Sequence, residues 1–272
     1  MRAVLRPVRG LAMASHPGPT VAVTTLVTVV AWSAGRDLAG CLSVAAAILT
    51  GHLSIGWSND AIDATRDTSV HRNDKPIVLG LVSRRTLWIG ATLMLVACVP
   101  LSLASGWLAG LAHLVGVAAA WGYNLRLKST RISWLPYAVA FGLLPSFVTL
   151  GTSGTWAPWW ASAATALLGV GAHLANVVPD LADDLATGVE GWPQRLGRLA
   201  RYAAPLPLAT ATALLVVAPP GPVGAIGWAT LAVVAVLLVV IVAWRNAPFL
   251  LTIAVAAVSI VALVLHGDAL TS

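Results

Sequence analysis

Residues 38–58 read LAGCLSVAAAILTGHLSIGWS, an apolar run long enough to cross a bilayer, and NDAIDATRD follows directly at 59–67. Asn59, Asp63 and Asp67 recur as Asn176, Asp180 and Asp184, each 117 positions later and at the end of another apolar run, 157–179. At 3.6 residues per turn, positions four apart lie nearly above one another, so each triplet predicts one polar stripe on one helix face. A carboxylate near hydrocarbon costs on the order of 2.5–3.5 kcal/mol at a bilayer centre. Helix-end acids merely solvated at an interface would not need to repeat an entire Asn–Asp–Asp pattern. The pair of stripes reads as a binding site.

The rest of the chain fits the same picture. It is 58% hydrophobic and 10% charged, with a mean hydropathy of +0.85, outside the range of soluble domains. Nine apolar runs predict membrane spans, at about 20–34, 38–58, 84–104, 106–125, 133–152, 157–179, 201–219, 223–243 and 246–265. The expected fold is therefore all-α: a polytopic bundle of about nine transmembrane helices around a central cavity. Residues 1–272 read as a single membrane domain, the first four spans repeating in the next four and the ninth left over. Met1–Gly10 carries three arginines but no compact apolar core ending in a cleavage site, so the first run predicts a retained span. Cys41 and Cys98 both fall in apolar runs and offer no disulfide or zinc spacing.

Loop charge assigns the orientation. With nine spans and an interior amino terminus, fifteen of the sixteen Lys/Arg lie in or beside interior loops, Arg245 among them, and only Arg36 lies outside. This accounts for the basic balance without nucleic acid. The expectation is a multi-pass cell-membrane protein with amino terminus and site facing the cytoplasm and the carboxyl terminus opposite. Trp57, Trp88, Trp134 and Trp244 on one side, and Trp32, Trp107, Trp156, Trp159 and Trp160 on the other, suit interfacial belts. Eight of the ten acids fall in two interior clusters: Asp60, Asp63, Asp67 and Asp74, and Asp180, Asp183, Asp184 and Glu190.

Carboxylate and carboxamide oxygens are hard ligands suited to Mg²⁺, with Mn²⁺ as the alternative. Magnesium usually sits on one or two carboxylates plus substrate phosphates, so two facing stripes predict a diphosphate clamp. Arg72 and Lys75 follow the first stripe, and Arg126 and Lys128 lie in the loop between the fourth and fifth runs, on the same predicted side. Cations of both kinds would stabilise charge on a departing pyrophosphate. An apolar pocket would shield the resulting allylic cation from water.

Here the chain resembles a known family. SNDAIDATRD is similar to the first aspartate-rich motif, NDxxDxxxD, of the UbiA superfamily of intramembrane prenyltransferases. HRNDKPIVLG at 71–80 resembles that family's basic KP/RP-I-x-x-G continuation, and YNLRLKS at 123–129 its Tyr-x-x-x-x-Lys loop. NVVPDLADD resembles the second aspartate-rich motif, and GVEGWPQRLG at 188–197 the stretch that follows it. The resemblance covers about 55–200 and implies a nine-helix bundle, Mg²⁺ dependence and transfer of a prenyl group from its diphosphate. It implies that Asn59, Asp63, Asp67, Asn176, Asp180 and Asp184 hold metal, with the four aspartates central to catalysis. Arg72, Lys75 and Lys128 would bind diphosphate, and Tyr123 would line its exit or steady the cation.

One departure concerns the acceptor. Family members that prenylate aromatic acids often carry a basic residue near the first helix, where this chain reads SHPGPT and offers only His16. The acceptor is expected to be small and aromatic or lipid-like. Asp60 and Asp183 point off the stripes by about 100 degrees per residue. His173 and His52 precede the stripes by three and seven residues and would extend them inward, although a buried histidine bonded to a neighbouring helix is the commoner arrangement. Gly51, Gly56 and Gly171 read as close-packing positions. A terpene cyclase would use the same motifs, its own double bond capturing the cation. A cation transporter would also carry membrane acids, but transporter sites usually lie at broken helices near the midplane.

Overall fold

A computed structural model of the chain describes residues 2–244, 249–265 and 267–271. Arg245 and residues 246–248, at the head of the ninth run, lie outside the described residues, as do the side chains of Arg2 and Asp268. The elements formed by the described residues are all helical. They are α1 (Arg2–Ala14), α2 (Pro17–Ser33), α3 (Leu38–Ser69), α4 (Arg84–Leu103), α5 (Trp107–Leu125), α6 (Leu135–Gly142), α7 (Leu144–Thr152) and α8 (Trp159–Val177). Then follow α9 (Leu181–Ala186), α10 (Trp192–Leu196), α11 (Ala200–Ala203), α12 (Pro205–Val217), α13 (Ala225–Ala243), α14 (Phe249–Leu265) and α15 (Gly267–Thr271).

Each of the nine apolar runs contains helix, but the count of nine spans is not established. Among the described residues, six helical stretches are long and apolar enough to cross a membrane, and a bent pair makes a seventh if it forms one span. In that pair Trp192–Ala203 meets Pro205–Val217 at 56°. Pro205 and Pro207 supply no backbone N–H there, so the ladder cannot run straight through. α2 and α14 have only 17 residues each. The run at 133–152 is two helices, with Pro145 opening α7 just after the break at Leu143.

Two boundaries matter most for the site. α3 does not stop with its apolar run at 58 but continues through the first acidic stripe to Ser69. α8, by contrast, ends at Val177. Pro179 forces a 3₁₀ turn over Val178–Asp180 before α9 resumes. The second triplet is therefore not on one continuous helix, a correction to the single-stripe expectation. Asn176 belongs to α8, Asp180 to the turn and Asp184 to α9.

The main core lies where α2, α3, α7, α8, α12 and α14 meet, around Val44, Ile48, Phe147, Val148, Leu208, Leu215 and Val255. Small residues let these helices approach closely: a Cβ on Gly171 would sit 2.5 Å from Leu208 Cδ2. The outer faces are apolar, with Trp32, Trp107 and Trp159 all more than 60% exposed. Trp160, expected at an interface, is instead 5% exposed and part of the core. α1 was not anticipated. It presents Arg6 and Arg9 outward and packs against α3, where Trp57 Nε1 donates to the Leu11 carbonyl at 2.9 Å.

Candidate active site

At the end of the bundle where α3 and α8 finish, a cavity of about 410 Å³ opens. Nine of the ten residues singled out from sequence line it: Asn59, Asp63, Asn176, Asp180, Asp184, Arg72, Lys75, Lys128 and Tyr123. The exception is Asp67, which is 1% exposed, off the cavity wall, and has hydrogen-bond partners on neither carboxylate oxygen. Its nearest cation is Arg66, with Nη2 3.6 Å from Oδ1.

The two acidic rows face each other across arginines. Arg66 Nη2 donates to Asp63 Oδ2 at 2.9 Å, while Nη1 lies 3.7 Å from Asp184 Oδ1. Arg72 follows α3 because His71 adopts a left-handed conformation (φ 54°) that turns the chain back past the helix end. Its Nη1 lies 3.2 Å from Asp180 Oδ2, and its Nε and Nη2 each donate to Asp74 at 2.9 Å. Those two bonds hold the Asp74 carboxyl below its usual range and push the Arg72 guanidinium up. Lys128, on the 3₁₀ turn after α5, donates to Asp63 Oδ1. Burial there pulls its ammonium pKa down against the opposing pull of Asp63.

Lys75 is held by a carboxylate outside the two triplets. Its Nζ donates to Asp60 Oδ1 at 2.8 Å, and the same oxygen lies 3.2 Å from His16 Nε2. Asp60, buried and off the acidic face, thus anchors two cavity-lining side chains instead of lining the cavity itself. Asp183 is exposed and lies outside the cavity wall. His173 is likewise not on the cavity wall, with Nε2 3.1 Å from Ser133 Oγ, whereas His52 lines the cavity.

Several site residues were missed. Asn124 accepts from Asn59 Nδ2 at 3.2 Å and donates to the Ile55 carbonyl and Ser58 Oγ. Asn59 Nδ2 also reaches Asp63 Oδ2 at 3.4 Å, so its Oδ1 remains available as a hard ligand. Gln194 donates to Asp184 Oδ2 at 2.8 Å. Arg66 carried a signal, since it stands at i+3 from Asp63 inside the motif itself. Asn124 and Gln194 sat in motif stretches, but only the fold brings them onto the acidic rows. Beside Tyr123, an aromatic wall forms from Tyr137, whose ring centroid is 5.1 Å away edge-on, and Phe141 beyond it.

The donor set fits a divalent cation that shares its coordination with a phosphate. Among the described residues no three His, Cys, Asp or Glu side chains converge on one point. Magnesium does not require such a cage, since it is usually held by one or two carboxylates, phosphate oxygens and water. The buried Asp67 oxygens, which accept no hydrogen bond and have Arg66 3.6 Å away as an ion-pair partner, are the specific observation in favour, because such a carboxylate keeps capacity to coordinate a second cation.

Comparison with known proteins gives a consistent result. The model of the UbiA prenyltransferase family matches residues 20–264. The apo structure of a UbiA homolog from Aeropyrum pernix K1 superposes with a TM-score of 0.71 at 23% identity, covering 90% of this chain and 97% of that one. A UbiA homolog from Archaeoglobus fulgidus bound to GPP and Mg²⁺ gives 0.68 at 16% identity, covering 96% and 99%. The same archaeal homolog bound to DMAPP and Mg²⁺ gives 0.67 at 16%, with the same coverage. At these identities the likeness is one of fold. Comparison with curated proteins gives no match.

Proposed function

The chain belongs to the UbiA prenyltransferase family, and we propose that it ionises a prenyl diphosphate between its two acidic rows and transfers the prenyl group to a small aromatic or lipid-like acceptor. The observation that carries this reading is the convergence of both rows and of Arg72, Lys75 and Lys128 on one cavity. Asn59, Asp63, Asn176, Asp180 and Asp184, which line it, and Asp67, which does not, are the candidates to hold Mg²⁺, or Mn²⁺ in its place. Bound there beside a diphosphate, the cation would supply Lewis-acid stabilisation of the leaving group. The fulgidus homolog, bound to GPP or DMAPP with Mg²⁺, supports the same ligand pair here.

Arg72, Lys75 and Lys128 would exchange their carboxylate contacts for phosphate oxygens, so the charge developing on pyrophosphate meets cations already in position. Tyr123, Tyr137 and Phe141 would flank the allylic fragment and keep water from it. The whole of 1–272 would act as one catalytic unit. The basic loops would lie at the cytoplasmic face, and the site would open there. Four cations lining the acidic rows stand against a cation pathway.

Mass spectrometry tests the assignment when purified protein is offered a panel of prenyl diphosphates, with and without Mg²⁺ and candidate acceptors. Mg²⁺-dependent prenylated acceptor is the expected product. A cyclic hydrocarbon or alcohol formed without any acceptor would replace transfer by cyclisation.

A further inference from the structure

α1 packs at the level where α3 leaves its apolar run and α4 begins one. Trp57 Nε1 donates to the Leu11 carbonyl at 2.9 Å, and Ala14, Ala61 and Val82 belong to one buried cluster with Trp57 and Trp88 packed against it. A Cβ on Gly10 would sit 2.8 Å from Val82 Cβ and 3.0 Å from the Leu81 carbonyl oxygen, so the α1 backbone itself lies on the segment that leads into α4. Tryptophan rings favour headgroup depth in membrane proteins. Trp57 and Trp88 therefore set α1 at the boundary between hydrocarbon and water.

At about 100 degrees per residue, the second half of α1 divides into three strips. Gly10 and Ala14 are buried against the protein. Val8, 58% exposed, and Ala12, also exposed, share a second strip that faces away from it. Exposed Arg6 and Arg9 form the third. The helix contains no acid, and neither arginine has an ion pair or a hydrogen bond among the described residues. Arg84 and Arg85, exposed and likewise without ion pairs among the described residues, follow Val82 at the head of α4.

An exposed apolar strip beside a basic one, held at headgroup depth, suits a bilayer surface better than water or a soluble partner. We propose that α1 is a docking surface for anionic phospholipid: Val8 and Ala12 enter the acyl boundary, while Arg6 and Arg9, extended by Arg84 and Arg85, take headgroup phosphates. Each basic side chain near an anionic surface strengthens attachment by about fivefold. A neutral bilayer meets the same apolar strip but leaves the arginines without a counter-charge. None of the four exposed α1 residues lines the diphosphate cavity, so this surface stands independently of the proposed transfer reaction.

The test uses the full chain in nanodiscs of phosphatidylcholine mixed with phosphatidylglycerol. A spin label on Val8→Cys, made with Cys41→Ala and Cys98→Ala, reports depth through its collisions with oxygen and with a water-soluble nickel chelate. Oxygen should reach it more readily than nickel, the reverse of a label on Arg198→Cys, an exposed loop position. Ala12→Cys serves if the Val8 variant does not fold. Spin-labelled phosphatidylglycerol and phosphatidylcholine, compared in the same discs, then read headgroup selectivity. Arg6→Gln with Arg9→Gln is expected to lower that selectivity by about threefold or more, whereas Arg131→Gln with Arg198→Gln, two exposed arginines of other loops, should change it little. Equal losses from the two pairs, or nickel access at position 8 as high as at position 198, would overturn the proposal. So would displacement of phosphatidylglycerol by inorganic phosphate but not by chloride at equal ionic strength, since the arginines would then hold a free anion.

Discussion

Arg66 stands between the two acidic rows, donating to Asp63 at 2.9 Å with one nitrogen while the other lies 3.7 Å from Asp184. One guanidinium from α3 therefore links α3 to α9. It sits between two carboxylates that are candidates to hold a divalent cation. Removing one partner from a mostly buried charge network costs about 1–3 kcal/mol when water reaches part of it. Arg66→Gln should lower the thermal midpoint of metal-free protein and also reduce the Mg²⁺ concentration needed for half-maximal donor binding, because a competing cation is gone. Unchanged stability together with an unchanged Mg²⁺ requirement would remove Arg66 from this role.

The orientation of the metal candidates rests on hydrogen bonds from neighbouring side chains. Asn124 fixes the amide of Asn59, and Gln194 fixes the carboxylate of Asp184. Losing such outer partners typically weakens metal affinity by about 10–100-fold. Asn124→Leu and Gln194→Leu should each raise the Mg²⁺ requirement by about that factor, leaving maximal turnover at saturating Mg²⁺ much less affected. Mg²⁺ titration of donor binding measures this, and curves that overlay the unmodified protein would contradict it.

Asp74 gives a pH prediction. Arg72 holds its carboxyl below the usual range, so its contribution is complete above the ordinary aspartate value of about 4 and is lost as pH falls through the lower folded value. The side chain is 60% exposed, so screening keeps the effect small. Hydrogen exchange across residues 70–83 should thus stay level between about pH 5 and 8, once corrected for intrinsic rates, and rise only in stronger acid. Asp74→Asn should exchange faster throughout and lose the acid dependence. A wild-type rise already at pH 6 would assign that transition to another group.

Close helix packing makes its own prediction. A Cβ on Gly171 would meet Leu208 Cγ at 2.6 Å and the Ala204 carbonyl oxygen at 3.4 Å. Leu208 is fully buried and cannot swing clear. Gly171→Ala should lose about 1–3 kcal/mol in thermal or denaturant unfolding without altering the Mg²⁺ requirement.

Much of this was legible in the chain because hydropathy and i, i+4 spacing are local signals. The apolar runs located the helices, and the repeated Asn–Asp–Asp triplets located the cavity that nine of the ten chosen residues line. What escaped depended on breaks and on long-range contact. Pro179 splits the second triplet across three elements, which a simple periodicity ignores. Lys75 faces the cavity but is anchored by Asp60, a residue that spacing alone placed off the site. His16 joins the same carboxylate from 44 residues away. His52 and His173 looked alike in sequence, yet Ser133 binds one and no side chain binds the other among the described residues.

Release of pyrophosphate from geranyl diphosphate, followed as Mg²⁺ is titrated, tests the two-row clamp most directly. The unmodified chain should release it only with the cation, and Asp63→Ala and Asp180→Ala should release none while retaining their helical content and cooperative unfolding. Undiminished, Mg²⁺-dependent release by either variant would contradict the account.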